Sequence, residues 1–137
     1  MKPSFLLIVV AVSSLAYLSG CSRAPSNPSA ALVGEYKLHV GNGNCSARGI
    51  ESSTLELLPD GRSEQRDRFK DGSLYVTPGK WRYSADNHVD LDDLRITTTG
   101  EIDKNASPIN ASLIVEWSKP PSILLNPDDD CFFSKAQ

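Results

Sequence analysis

Histidine, methionine and cysteine are scarce in this 137-residue chain, which holds two His, one Met and three Cys. A zinc or copper centre needs several His or Cys side chains converging on one point. His39 and His88 fall on the polar faces of predicted strands and do not make such a set, so no metal site and no cofactor are expected. The sequence contains no H-E-x-x-H, no G-x-S-x-G and no glycine-rich phosphate loop, and each of those patterns exists to build one kind of catalytic centre. No nucleophile, base or metal set can be assembled from the text, and the chain is read as a non-enzyme. A basic excess is missing too, because 14 Lys and Arg stand against 17 Asp and Glu for a net charge of −3. A general nucleic-acid binder would need a net basic face to displace counterions. Uninterrupted apolar runs of about 18 residues, the minimum for an ordinary membrane-crossing helix, do not occur.

What is present is a repeating strand-and-turn pattern. The length suits one domain, and 39% hydrophobic residues suffice for a core. Leu32, Gly34, Tyr36, Leu38 and Val40 alternate with Val33, Glu35, Lys37 and His39, a period of two with one half-buried face. Further strands are predicted over 54–58, 62–69, 73–77, 80–84, 88–91, 94–99, 111–118, 123–125 and 131–134. The punctuation between them is Pro59-Asp60-Gly61, Asp71-Gly72, Pro78-Gly79 and Ala85-Asp86-Asn87. Residues 100–110 are polar, contain Pro108, and read as a long loop. No helical crossover of the kind a parallel sheet requires is visible. The expected fold is all-β, a small antiparallel barrel or sandwich of eight to nine short strands. Its expected core is Leu32, Tyr36, Leu38, Leu55, Leu57, Trp81, Tyr83, Val89, Leu91, Ile96, Leu113, Val115, Trp117, Ile123, Leu125 and Phe133.

The N-terminus reads as an address. Lys2 precedes an apolar stretch from Phe5 to Leu18 broken only by Ser13 and Ser14, and Ser19 and Gly20 follow, the layout of a secretory signal peptide over residues 1–20. Leu18-Ser19-Gly20-Cys21 resembles the lipobox of bacterial lipoproteins. The resemblance implies cleavage before Cys21, a diacylglyceryl thioether on its sulfur and an acyl chain such as palmitate on its amine. Two or more chains anchor stably where one does not. In lipoproteins of this type Ser at the next position, here Ser22, implies the outer membrane, facing the periplasm. Residues 21–31, with Pro25, Pro28 and several Ser, read as an extended tether, and 32–137 as the single β domain.

With Cys21 committed to lipid, Cys45 and Cys131 remain. An even pair in an oxidising compartment reads as a disulfide, the alternative being two free thiols. The run Gly34-Glu35-Tyr36, Gly49-Ile50-Glu51-Ser52-Ser53-Thr54-Leu55-Glu56-Leu57, Pro59-Asp60-Gly61-Arg62, Gly79-Lys80-Trp81 and Val89-Asp90-Leu91 resembles the N-terminal barrel of copper-response outer-membrane lipoproteins, which are calycin-like. Those carry a C-x-x-C before the Gly-Ile. Here the same stretch is Asn44-Cys45-Ser46-Ala47-Arg48, with one cysteine, so the metal or redox pair of that family does not carry over.

Two acidic clusters, Asp90/Asp92/Asp93 and Asp128/Asp129/Asp130, lack the spacing of a calcium loop and read as solvated. The segment 62–70 is the candidate partner site. Arg62, Glu64, Arg66, Arg68 and Lys70 share one face, and Ser63, Gln65, Asp67 and Phe69 the other. Polarity on both faces predicts an edge strand or a hairpin projecting from the sheet, with charges that block edge pairing. The functional alternative is a basic hairpin, Arg62, Arg66, Arg68 and Lys70, that docks on an acidic cleft of another envelope or secreted protein. The expected function is a lipid-anchored periplasmic binding protein, as an inhibitor or immunity protein against a hydrolase or toxin. The alternatives are a calycin-like carrier of one small ligand and an envelope-stress or metal-response lipoprotein.

Overall fold

The structure, a computed structural model, describes residues 23–40, 49–126, 128 and 130–137. Cys21 and Cys45 lie outside the described residues, as do the signal-peptide and lipobox segment and Asp129. Eight antiparallel strands close into a barrel in the order of the chain. They are β1 (Gly34–Val40), β2 (Ile50–Leu57), β3 (Arg62–Phe69), β4 (Leu74–Ser84), β5 (His88–Leu94), β6 (Ile109–Glu116), β7 (Ser122–Asn126) and β8 (Cys131–Lys135). Each strand pairs with its neighbour in sequence, and β1 closes the ring on β8, with Val40 opposite Cys131. This is the all-β architecture that the period-two pattern predicts.

One short helix, α1 (Pro28–Leu32), precedes β1, where the sequence suggested extended tether. Its signals are local. The Asn27 side chain accepts a hydrogen bond from the Ala30 amide, and Pro28 sits in the first turn, where its missing N–H costs nothing. Leu32 is fully buried. The Tyr36 hydroxyl donates to Leu32 O at 2.8 Å and Lys135 Nζ to Ala31 O at 2.7 Å. These two bonds fasten the helix to the end of the barrel where β1 begins, the lower end. The upper end carries the 70–73 turn and the long 95–108 connection.

The interior is filled by the barrel's own side chains. Tyr36, Phe133, Leu55, Leu57, Leu91, Ile123 and Val89 are essentially inaccessible. Most of the expected core is buried, while Leu38 and Tyr83 are only partly so, and Ile50, Phe69, Leu94 and Ile102 join it. Ile102 comes from the polar 95–108 connection, which folds back over the upper end.

Three expectations change. The strand predicted over 94–99 is not one: β5 ends at Leu94 and a loop follows. Pro78-Gly79 is not a turn, since β4 runs straight through it, joining the two strands expected over 73–77 and 80–84. Finally, β3 is neither an edge nor a projecting hairpin. It pairs with β2 along one side and β4 along the other, and Ser63, Gln65, Asp67 and Phe69 point into the barrel and are buried. Their polarity reflects a hydrogen-bonded interior rather than a second wet face.

Candidate functional site

The β4–β5 pairing stops halfway. Register runs from Ser84↔His88 to Lys80↔Asp92 and goes no further, although β4 continues up to Leu74. Two residues explain the stop. Continuing the ladder would set Pro78 against Leu94, and proline has no N–H to offer. At Gly79 the backbones already crowd: a Cβ built there would lie 2.1 Å from Asp92 O. The chain turns away at Asp93, whose φ of 61° is left-handed, and leads Arg95 toward the barrel interior.

Gln65 takes over the role of the missing strand. Its Oε1 accepts the Arg95 amide N–H at 2.7 Å, and its Nε2 donates to Arg95 O at 3.2 Å. A buried side-chain amide thus satisfies both backbone groups of Arg95, as a ladder partner would. The same Nε2 donates to Asp67 Oδ1 at 3.1 Å, which also accepts from Ser53 Oγ at 2.6 Å. Asp67 Oδ2 has no hydrogen-bond partner among the described residues. Burial pushes the Asp67 carboxyl above its ordinary range, against the opposing pull of the Ser53 and Gln65 hydrogen bonds and the Arg95 charge. The Arg95 guanidinium lies 4.9 Å from the centre of the Tyr75 ring, and donates to Thr77 Oγ1 and Ala106 O. Lys104 on the same connection pairs with Asp71 in the 70–73 turn at 2.9 Å. The Asp71 carboxyl is held well below its ordinary range by hydrogen bonds from Lys104 and Ser73.

The outside of this seam is different in character. Leu74 and Val76, 53% and 49% exposed, are two of the three large hydrophobic residues on the described surface. They stand directly across from Arg68 and Arg66 on β3. The candidate partner residues Arg62, Arg66, Arg68 and Lys70 are all exposed, as the alternation predicted. They are not equally available. Arg62 is paired with Asp60, and Arg66 with Glu64. Arg68 and Lys70, nearer the upper end, make no ion pair among the described residues. Leu74 and Val76 are not recognisable as surface residues from sequence, because a short apolar strand looks the same whether it is covered or bare.

A groove of about 610 Å³ lies at the lower end between α1, the 58–61 turn and β4, and its wall includes Ala30, Val33, Pro59, Trp81 and Tyr83. The other sequence candidates are dispersed. His39 stacks on Phe132 with ring centres 4.6 Å apart, and His88 Nδ1 contacts Asp86 O. Asp90 is engaged by Arg82 and Ser112. Among the described residues no group of three or more His, Cys, Asp or Glu could hold a metal ion. No protein-family model, curated protein or solved structure matches this chain.

Proposed function

We propose that this protein is a non-enzymatic, lipid-anchored binding module of the bacterial envelope, held through Cys21 to the outer membrane, that engages a secreted or envelope protein through the outer face of β3. The observation that carries the reading is the polarity of the barrel. The chain arrives from Cys21 at the lower end, through α1. The exposed row Arg62, Arg66, Arg68 and Lys70 climbs β3 away from that end. A partner approaching from the aqueous side meets the two unpaired cations first. The preferred partner is a hydrolase or toxin with an acidic cleft, and the module acts as inhibitor or immunity protein. Arginine suits such a surface because its planar fork binds carboxylates in pairs. The filled interior favours binding at the surface over carriage of a ligand inside.

A disulfide between Cys45 and Cys131 belongs to the same proposal. Cys131 is buried opposite Val40, and Cys45 is only five positions further along the chain. The bond would tie the 41–48 segment to the start of β8.

Capture from periplasmic and secreted extracts by the mature lipidated chain, followed by mass spectrometry, tests the reading. A stoichiometric protein is expected, and Arg66→Glu with Arg68→Glu should reduce its capture at least tenfold. Equal capture by the double variant would remove the β3 face from the account. The carrier reading keeps one specific support, the groove beside Trp81 and Tyr83 at the lower end. Lipid retained through native purification, and lost on Trp81→Ala, would favour it.

A further inference from the structure

The halt in the β4–β5 ladder leaves a strand edge open in an otherwise closed barrel. In β4 the odd-numbered residues turn their backbone groups toward β3: the Trp81 amide bonds Gly61 O, and the Phe69 amide bonds Ser73 O. The even-numbered residues therefore face β5. From Lys80 downward they find it. Above Lys80 the N–H and C=O groups of Leu74 and Val76 have no partner among the described residues. Edge strands are ordinarily covered, charged or broken to prevent pairing. This one instead carries two bare apolar side chains.

We propose that the upper half of β4, Leu74–Val76, accepts an extended segment of a partner protein as an added strand, and that this segment is acidic and apolar in alternation. The inference rests on the protein-binding reading above and specifies how the partner is held. An added strand gains main-chain hydrogen bonds from Leu74 and Val76 and places alternate apolar side chains beside theirs. Its charge follows from the surroundings. Arg68 and Lys70 lie on the same outer face without an acidic partner among the described residues. An added strand would lie across β4 from them, two strand spacings or about 10 Å away, a gap comparable to the ~8 Å screening length at physiological salt and one that long Arg and Lys side chains can narrow. A carboxylate-bearing segment is attracted there, and a basic one repelled.

The test uses the ¹⁵N-labelled full chain in detergent micelles and two capped octapeptides, one alternating Glu with Val and the other Lys with Val. The Glu-Val peptide should shift the amide resonances of Leu74 and Val76, with an apparent affinity at least fivefold above that of the Lys-Val peptide. Val76→Pro removes the outward N–H and leaves the bonds to β3 intact. It should weaken the response at least tenfold, whereas Val76→Thr should preserve it. No shift at these amides, equal response to both peptides, or an undiminished response in Val76→Pro would overturn the proposal. Concentration-dependent shifts of Leu74 and Val76 without peptide would overturn it as well, because the edge would then serve a second copy of the chain. Partner capture by the lipidated chain alongside a silent edge would reject this inference and leave the binding reading standing.

Discussion

Gly79→Ala is expected to destabilise the barrel by about 3 kcal/mol, at the upper end of what added volume costs in a packed interior. The cause is a backbone obstacle. The new Cβ would sit 2.1 Å from Asp92 O, with Ser63 Oγ at 3.0 Å on another side. A flexible side chain could move aside, but the Asp92 carbonyl belongs to the last paired rung between β4 and β5. Relieving the contact means separating the strands where the ladder already ends, so the seam should open further downward. Denaturant unfolding read by tryptophan fluorescence checks the magnitude, since Trp81 is two residues away. An unchanged midpoint would mean that β4 and β5 leave room for a methyl group at Gly79, contradicting the close approach of Asp92 O.

Asp67→Asn is expected to do the reverse and stabilise the protein by about 2 kcal/mol at neutral pH, the order of magnitude for removing an incompletely satisfied buried charge. The sign follows from linkage. The folded carboxyl binds its proton more tightly than the unfolded one, because burial raises its pKa. Below the ordinary value of 3.8 both states hold the proton and Asp67 adds no pH dependence. As pH rises from there toward the folded value, the unfolded state loses its proton first and folding stability falls. Above the folded value the loss is complete and constant. The asparagine keeps an oxygen for the Ser53 and Gln65 donors and does not titrate. The variant should therefore gain most over wild type at neutral and alkaline pH and converge with it in acid. Unfolding midpoints measured across that range check both size and direction. A gain confined to acid would contradict the assignment.

Most of the strand plan was legible, because period two and Asp-Gly turn chemistry are local signals. Tyr36, Leu55, Leu57, Val89, Leu91 and Phe133 were readable as core for the same reason. The seam was not. Ser63, Gln65 and Asp67 look like a solvated face when residue type alone is consulted. Only their burial in the closed barrel shows that they line the interior, and only the bonds of Gln65 to Arg95 show that it stands in for a strand. Pro78-Gly79 carries the composition of a turn, yet Pro78 has its absent N–H directed away from β3, where an extended strand tolerates it. The β-branched run at Ile96–Thr99 favours a strand by propensity. Tertiary context overrules it, because the ladder to β4 ends at Asp92 and the ladder to β6 at Leu94. The Asn27 cap and Pro28 of α1 sit in a Pro- and Ser-rich segment whose composition reads as tether, so this one-turn helix was not legible. Of the candidate site, the basic row on β3 was readable as alternation. The bare edge beside it depends on where a neighbouring strand stops, and no single-strand pattern records that.

Residue-resolved amide hydrogen exchange across β4 tests the account most directly. Tyr75 and Thr77, whose amides face β3, should be protected to the level of the surrounding ladder. Leu74 and Val76 should exchange at least a hundredfold faster, at rates approaching those of loop residues. Equal protection at all four positions would contradict the open edge, and with it the site proposed for the partner strand.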